Sequence, residues 1–132
     1  VYIYTARADW SIAETAFQLA QLPLSDQRYS QRYTHPLRLR SFVASRLLLR
    51  QALTDLEGKS SSEWLFDYPH QRLQLNRQQT DWQTSLSHSE EWVACVLAQT
   101  DYCGIDIESN IDINPRYLAI ARRFFHDAEY QQ

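Results

Sequence analysis

The chain has 132 residues, 44% of them hydrophobic and 22% charged, with a formal net charge of −3 at pH 7. That length and make-up fit one ordinary globular domain rather than a disordered segment, and two glycines with four prolines exclude collagen-like and low-complexity architectures. The mild acidity gives no general electrostatic footprint for nucleic acid, and no apolar run approaches a bilayer span, so neither nucleic acid nor membrane is an expected partner.

The opening residues lack the basic start and apolar stretch of a secretory signal. Two cysteines, Cys95 and Cys103, make no disulfide framework; reduced thiols in a soluble, cytoplasmic protein are expected. There is no Met, even at position 1, so a fragment of a longer protein is expected. Arginine outnumbers lysine twelve to one, and seven of the arginines fall between Arg7 and Arg50. The guanidinium suits bidentate phosphate or carboxylate contacts, although most of the seven are expected on solvated helix faces.

In chain order, the alternating Val, Tyr and Ile of 1–8 predict a strand. Ser11 and Glu14 have capping-box spacing, and Ile12, Thr15, Ala16, Leu19 and Ala20 follow at helical intervals until Pro23 ends the helix. Ser25 and Asp26 offer the start of a short Arg- and Tyr-rich helix reaching about Tyr33. Pro36 opens the longest helix, with Leu39, Phe42, Val43, Leu47, Leu49, Leu53 and Leu56 as its buried face and Gly58 as its stop. The pattern then predicts five short strands, at 64–68, 72–75, 82–86, 92–99 and 103–107, with 93–98 apolar enough to be central. Pro115 predicts a helix through Phe125, and Asp127 a further cap. Helices first and a strand meander second define an α+β class.

Three constellations carry chemistry. In Gly104-Ile105-Asp106-Ile107-Glu108, strand alternation places Asp106 and Glu108 on one face, about 7 Å apart at the backbone. Two such carboxylates can converge on a hard cation such as Mg²⁺; the plain alternative is a solvated polar face. In Ser85-Leu86-Ser87-His88-Ser89, expected at a strand end, an imidazole flanked by hydroxyls can meet phosphate oxygens; the plain alternative is a hydroxyl-rich turn. Ser87 and His88 make a poor nucleophilic pair, because adjacent residues on an extended chain point oppositely. Glu129, after Phe124 and Phe125, is either a functional acid or an ordinary first-turn helix carboxylate.

The order of these motifs is more specific than any one of them. Arg40, Arg46 and Arg50 on the long helix are followed by Ser87-His88-Ser89 and Trp92-Val93-Ala94-Cys95, then Gly104 to Glu108, then Arg122-Arg123-Phe124-Phe125 with Glu129-Tyr130. From about Arg28 to Tyr130 the chain resembles the 4′-phosphopantetheinyl transferases of the long, pseudo-two-fold type. The resemblance implies an α+β transferase lobe, an antiparallel strand meander packed on a long helix. Residues 1–110 would form the N-terminal lobe and 111–132 the truncated start of a second.

It further implies Mg²⁺-dependent transfer of the phosphopantetheine arm of coenzyme A to a serine of an apo acyl or peptidyl carrier protein, releasing 3′,5′-ADP. Asp106 and Glu108 match the family's metal ligands, and Ser87 and His88 the contacts to coenzyme A phosphates, His88 to the 3′-phosphate. Glu129 matches an acid that serves as base or water-positioner. Arg40 and Ser41 match more loosely, where the long helix nears the nucleotide.

Two departures stand out. The family's Gly-Lys-Pro turn is replaced here by Pro69-His70-Gln71-Arg72, so either His70 or Arg72 substitutes for the lysine or the contact is missing. The Trp-X-X-Lys-Glu motif, with a third metal ligand and a lysine, does not occur in the chain. A catalytically incomplete carrier- or nucleotide-binding lobe, another Mg²⁺-dependent phosphoryl-transfer enzyme, and self-association through an exposed inter-lobe face are the competing expectations.

Overall fold

A helix of 22 residues, α3 (Pro36–Glu57), organises the molecule, and local chemistry sets both its ends. Pro36 occupies the first turn, where its missing N–H costs nothing, and the His35 ring accepts a hydrogen bond from the Leu37 N–H at 3.2 Å. Gly58 ends it with φ 77°, a left-handed cap that favours glycine. The computed structural model describes residues 1–108. The helix expected over 115–125, the cap at Asp127, the lobe boundary at 110/111 and Glu129 all lie outside the described residues.

Strand β1 (Tyr2–Arg7) leads to α1 (Ile12–Gln21), which begins with the expected reciprocal capping box of Ser11 and Glu14. The apolar stripe of α1 is less buried than its spacing predicts. Thr15 is its buried residue and satisfies its hydroxyl on the Ser11 carbonyl, whereas Ile12, Ala16, Phe17 and Ala20 face solvent. Helix α2 (Leu24–Ser30) starts behind Pro23 with no side-chain cap. Asp26 is therefore not a capping residue: it is fully buried, for a reason that appears below.

Among the described residues, three strands make an antiparallel sheet in the order β1–β5–β4, with β4 (Gln83–Ser89) and β5 (Trp92–Ala98) joined by a tight hairpin. The apolar run of β5 makes it central, and Val93 through Ala98 are all buried. Register places Tyr4, Cys95 and Leu86 side by side on one face, with Ala6, Val93 and His88 in the next row. This face packs on α3. Leu49, Ala52 and Leu53 meet Cys95 and Leu97, closed off by Trp64, Phe66 and Leu75, while Ala44 meets Val93. The result is a mixed α+β fold with its sheet on the long helix, and no described helix is long and apolar enough to cross a membrane.

The expected five-strand meander is corrected in three places. Residues 64–68 and 72–75 contribute only β2 (Phe66–Asp67) and β3 (Gln74–Leu75), which pair as a separate two-stranded ribbon. Between them, Pro69–Gln71 form a 3₁₀ turn with His70 and Gln71 both at positive φ, so the chain cannot hold a ladder there. Residues 103–107 are not a strand. Their burial still alternates, with Cys103, Ile105 and Ile107 half-buried and Asp106 and Glu108 exposed, yet no ladder forms.

Candidate functional site

Between the first half of α3 and the end of β4 lies a cavity of about 320 Å³. Arg38, Ser41, Phe42, Ser45 and Arg46 line it from the helix, Leu86, Ser87 and His88 from the strand, and Tyr33 from the α2–α3 connection. The helix residues recur at three- and four-residue intervals and so form one stripe. Ser41 and Ser45 turn their hydroxyls back onto the carbonyls of Leu37 (3.1 Å) and Phe42 (2.8 Å), and their small size leaves the space open. Across the gap, the register of β4 puts His88 on the helix-facing side, where it is exposed.

Besides Arg38 at its exposed side, the cavity takes charge from its floor. Arg46 is 7% exposed, lies 4.4 Å over the Phe42 ring, and donates from Nε to the Tyr68 hydroxyl at 3.0 Å and from Nη1 to Ser45 Oγ at 3.0 Å. Deeper still, Arg50 is 2% exposed and bonds Asp26 Oδ2 through Nη2 at 2.5 Å, with Nε on the Trp64 carbonyl at 3.1 Å. Tyr68 donates its hydroxyl to the other Asp26 oxygen. One carboxylate thus serves two arginines, and no other described acid forms an ion pair with either. A positive charge is left uncompensated beside the cavity, and burial in a low-dielectric wall strengthens its pull on an anion.

The aromatic groups around it stay neutral. Burial pushes the Tyr68 phenol well above its ordinary range, with the Arg46 charge opposing and the Asp26 carboxylate reinforcing the rise. Burial also raises Tyr33, helped by Tyr29 and opposed by Arg46. Burial lowers Arg50, against the opposing pull of Asp26.

Of the residues predicted from sequence, Ser41, Ser87 and His88 meet at this cavity, whereas Arg40, next to Ser41 in sequence, is not part of its lining. Ser87 links the cavity to the acidic segment. Its hydroxyl donates to Asp106 Oδ1 at 3.1 Å and accepts the Ile107 N–H at 3.1 Å, a side-chain substitute for the missing ladder. The Ser-Leu-Ser-His-Ser run lies at the end of β4, as expected, with the turn following at Glu90 and Glu91; the strand runs three residues beyond the expected end at Leu86. Asp106 and Glu108 share the exposed side of their segment. As two hard oxygen donors they fit a Mg²⁺ ion that keeps other positions for water or phosphate; among the described residues no cluster of three metal-ligating side chains exists.

Sequence reading missed Tyr33, Arg38, Ser45 and Tyr68, and it named Phe42 only as core and Arg46 only as part of a motif, without placing either at the site. The helical spacing of 38, 41/42 and 45/46 was the available signal for the helix residues. No protein-family model matches the chain, and no curated protein matches its sequence.

Proposed function

We propose that the chain is a 4′-phosphopantetheinyl transferase lobe whose cavity receives the phosphates of coenzyme A for transfer of the pantetheine arm to an apo carrier protein. The observation that carries this reading is the meeting of Ser41, Ser87 and His88 with the partly unpaired Arg46 in one cavity, with Asp106 tied to Ser87. A polyphosphate fits such a site by charge, and imidazole and hydroxyl groups supply directed donors.

In this reading His88 and Arg38 orient the nucleotide end, while Arg46 faces phosphate oxygens at the cavity floor. Asp106 and Glu108 would hold Mg²⁺, which when bound supplies charge neutralisation at the diphosphate linkage. Ser87 fixes Asp106 through its hydroxyl, and Glu129 takes the proton of the incoming carrier serine. The exposed arginines of 28–50, Arg28 and Arg32 among them, favour an acidic carrier surface.

The test is calorimetric titration of the chain with coenzyme A, with and without Mg²⁺, followed by incubation with apo carrier and measurement of carrier mass. Binding that strengthens with Mg²⁺ is expected. With the Trp-X-X-Lys-Glu motif missing, little mass gain is expected from this chain alone. Absence of any coenzyme A binding at millimolar concentration refutes the reading.

A further inference from the structure

We infer that Tyr68 is a positioning residue, which couples the buried Asp26–Arg50 pair to Arg46 and so aims the Arg46 guanidinium at a phosphate group in the cavity. The inference rests on the anion-binding reading of the cavity and adds residues that its motifs do not include.

The geometry is that of a relay. Asp26 is fully buried and divides its two oxygens between Arg50 and Tyr68. Because its hydrogen points to Asp26, the Tyr68 oxygen presents its lone pairs elsewhere, and Arg46 Nε occupies one of them at 3.0 Å. Arg46 is also held by Ser45 through Nη1 and lies 4.4 Å over the Phe42 ring. No Arg46 nitrogen is among the fully buried polar atoms that lack a partner, so the free N–H groups of its fork lie at the small exposed part of a side chain that lines the cavity. Donors held at a cavity wall and not taken by protein groups are open to a ligand.

Tyr68 is itself held rigidly. Its ring stacks on Tyr29 at 4.1 Å between centroids and 16° between planes, and the Tyr29 hydroxyl donates to the Gln71 carbonyl at 2.8 Å. Arg32 in turn bonds the Tyr29 oxygen at 2.7 Å and the Gln71 side chain at 2.8 Å. A fork locked in this way loses little entropy on meeting a planar set of phosphate oxygens.

The experiment uses inorganic pyrophosphate as the probe, titrated into the wild-type chain, Tyr68→Phe, Arg46→Lys and the double variant, with melting curves recorded in parallel. Tyr68→Phe keeps the stacked ring, and Arg46→Lys keeps the charge but lacks the fork. Each single variant should weaken pyrophosphate about tenfold, and the double variant should be no weaker than the worse single. In ¹⁵N spectra the Arg46 Nε–H signal, assigned by its loss in Arg46→Lys, should shift with pyrophosphate in the wild type and broaden in Tyr68→Phe.

Tyr68→Phe that binds pyrophosphate as tightly as wild type with an unchanged Nε–H signal overturns the positioning role, even if its melting point falls. If Tyr68→Phe does not fold, wild-type affinity in Arg46→Lys overturns it instead. If pyrophosphate behaves as expected while coenzyme A binds no better, the positioning role stands and the transferase reading fails. If coenzyme A binds wild type and Tyr68→Phe equally, the reverse holds. If neither anion binds, both are overturned.

Discussion

Replacing Asp26 by Ala should unfold much of what holds the cavity together. The carboxylate has no solvent exposure, accepts from Arg50 at 2.5 Å and receives the Tyr68 hydroxyl. Its removal leaves the guanidinium of Arg50, 2% exposed, with only the carbonyls of Trp64 (3.1 Å) and Arg46 (3.4 Å) and the Phe66 ring at 4.0 Å. Breaking a buried ion pair from one side costs about 3–5 kcal/mol, because the surviving charge cannot return to water without opening the core. A domain of this size has about 5–15 kcal/mol in total.

With a urea slope of about 1.5 kcal/mol per molar, the unfolding midpoint should drop by about 2–3 M. Replacing both partners, Asp26→Leu with Arg50→Met, should recover most of that loss, since apolar groups of similar volume replace such pairs at little cost. Anion affinity should not recover with it, because Tyr68 then has no carboxylate to donate to. Equilibrium urea unfolding followed by tryptophan fluorescence decides the matter. A midpoint for Asp26→Ala within about 0.5 M of wild type contradicts a charged, desolvated pair and with it the account of the cavity floor.

Further outcomes are expected elsewhere. Glu90 holds φ 52° at the first turn position of the β4–β5 hairpin, a site that favours glycine, so Glu90→Gly should stabilise by about 0.5–1 kcal/mol, read as a melting point raised by a few degrees. Cys95 is held neutral by burial, its thiol pushed up to about 11 from an ordinary 9.0, so the unfolded chain releases that proton first. Stability should therefore fall between about pH 9 and 11 by up to about 2–3 kcal/mol, with no effect below pH 8, and Cys95→Ala should flatten that part of the profile in urea titrations. Asp106→Ala, on an exposed side chain, should keep the fold and abolish the Mg²⁺ dependence of coenzyme A binding; retained dependence in calorimetry removes Asp106 from the metal site. His88→Ala should narrow the affinity gap between coenzyme A and its form lacking the 3′-phosphate, and an unchanged gap removes His88 from that contact.

The parts of the fold that sequence revealed are those governed by neighbours along the chain. The Ser11–Glu14 box, Pro36 and Gly58 fix helix ends through contacts within a turn, and the unbroken apolar run of β5 needs both faces covered. The strand expected at 103–107 shows the limit of a two-residue period, which reports alternating exposure and says nothing about who accepts the backbone hydrogen bonds. Here the Ile107 N–H goes to the Ser87 side chain. Asp26 shows a second limit. Near a helix start it reads as a capping acid, but its true partner is Arg50, 24 residues away, and only the folded arrangement of α2 against α3 brings the charges together. The burial of Arg46 and Arg50 follows from the same long-range pairing, so a reading that places most of the arginines on solvated faces misses both.

The long helix explains why core and cavity adjoin. Stepping along α3 by four residues gives Ser41, Ser45, Leu49 and Leu53, a single ridge that changes chemistry halfway. Leu49 and Leu53 fill the space beneath β5, and the two serines, with hydroxyls already satisfied on the helix backbone, leave the matching space beneath β4 empty. The adjacent ridge runs Phe42, Arg46 and Arg50, and its charge grows more compensated with depth: Arg50 has Asp26, whereas Arg46 reaches that carboxylate only through Tyr68. The void and the incompletely neutralised cation therefore fall at the same level of the helix. An anion seated there would complete a charge balance that the described protein groups leave open, which is why the stability of the Asp26 pair and the affinity of the cavity should change together when Asp26 alone is removed, and separate when Arg50 is removed with it.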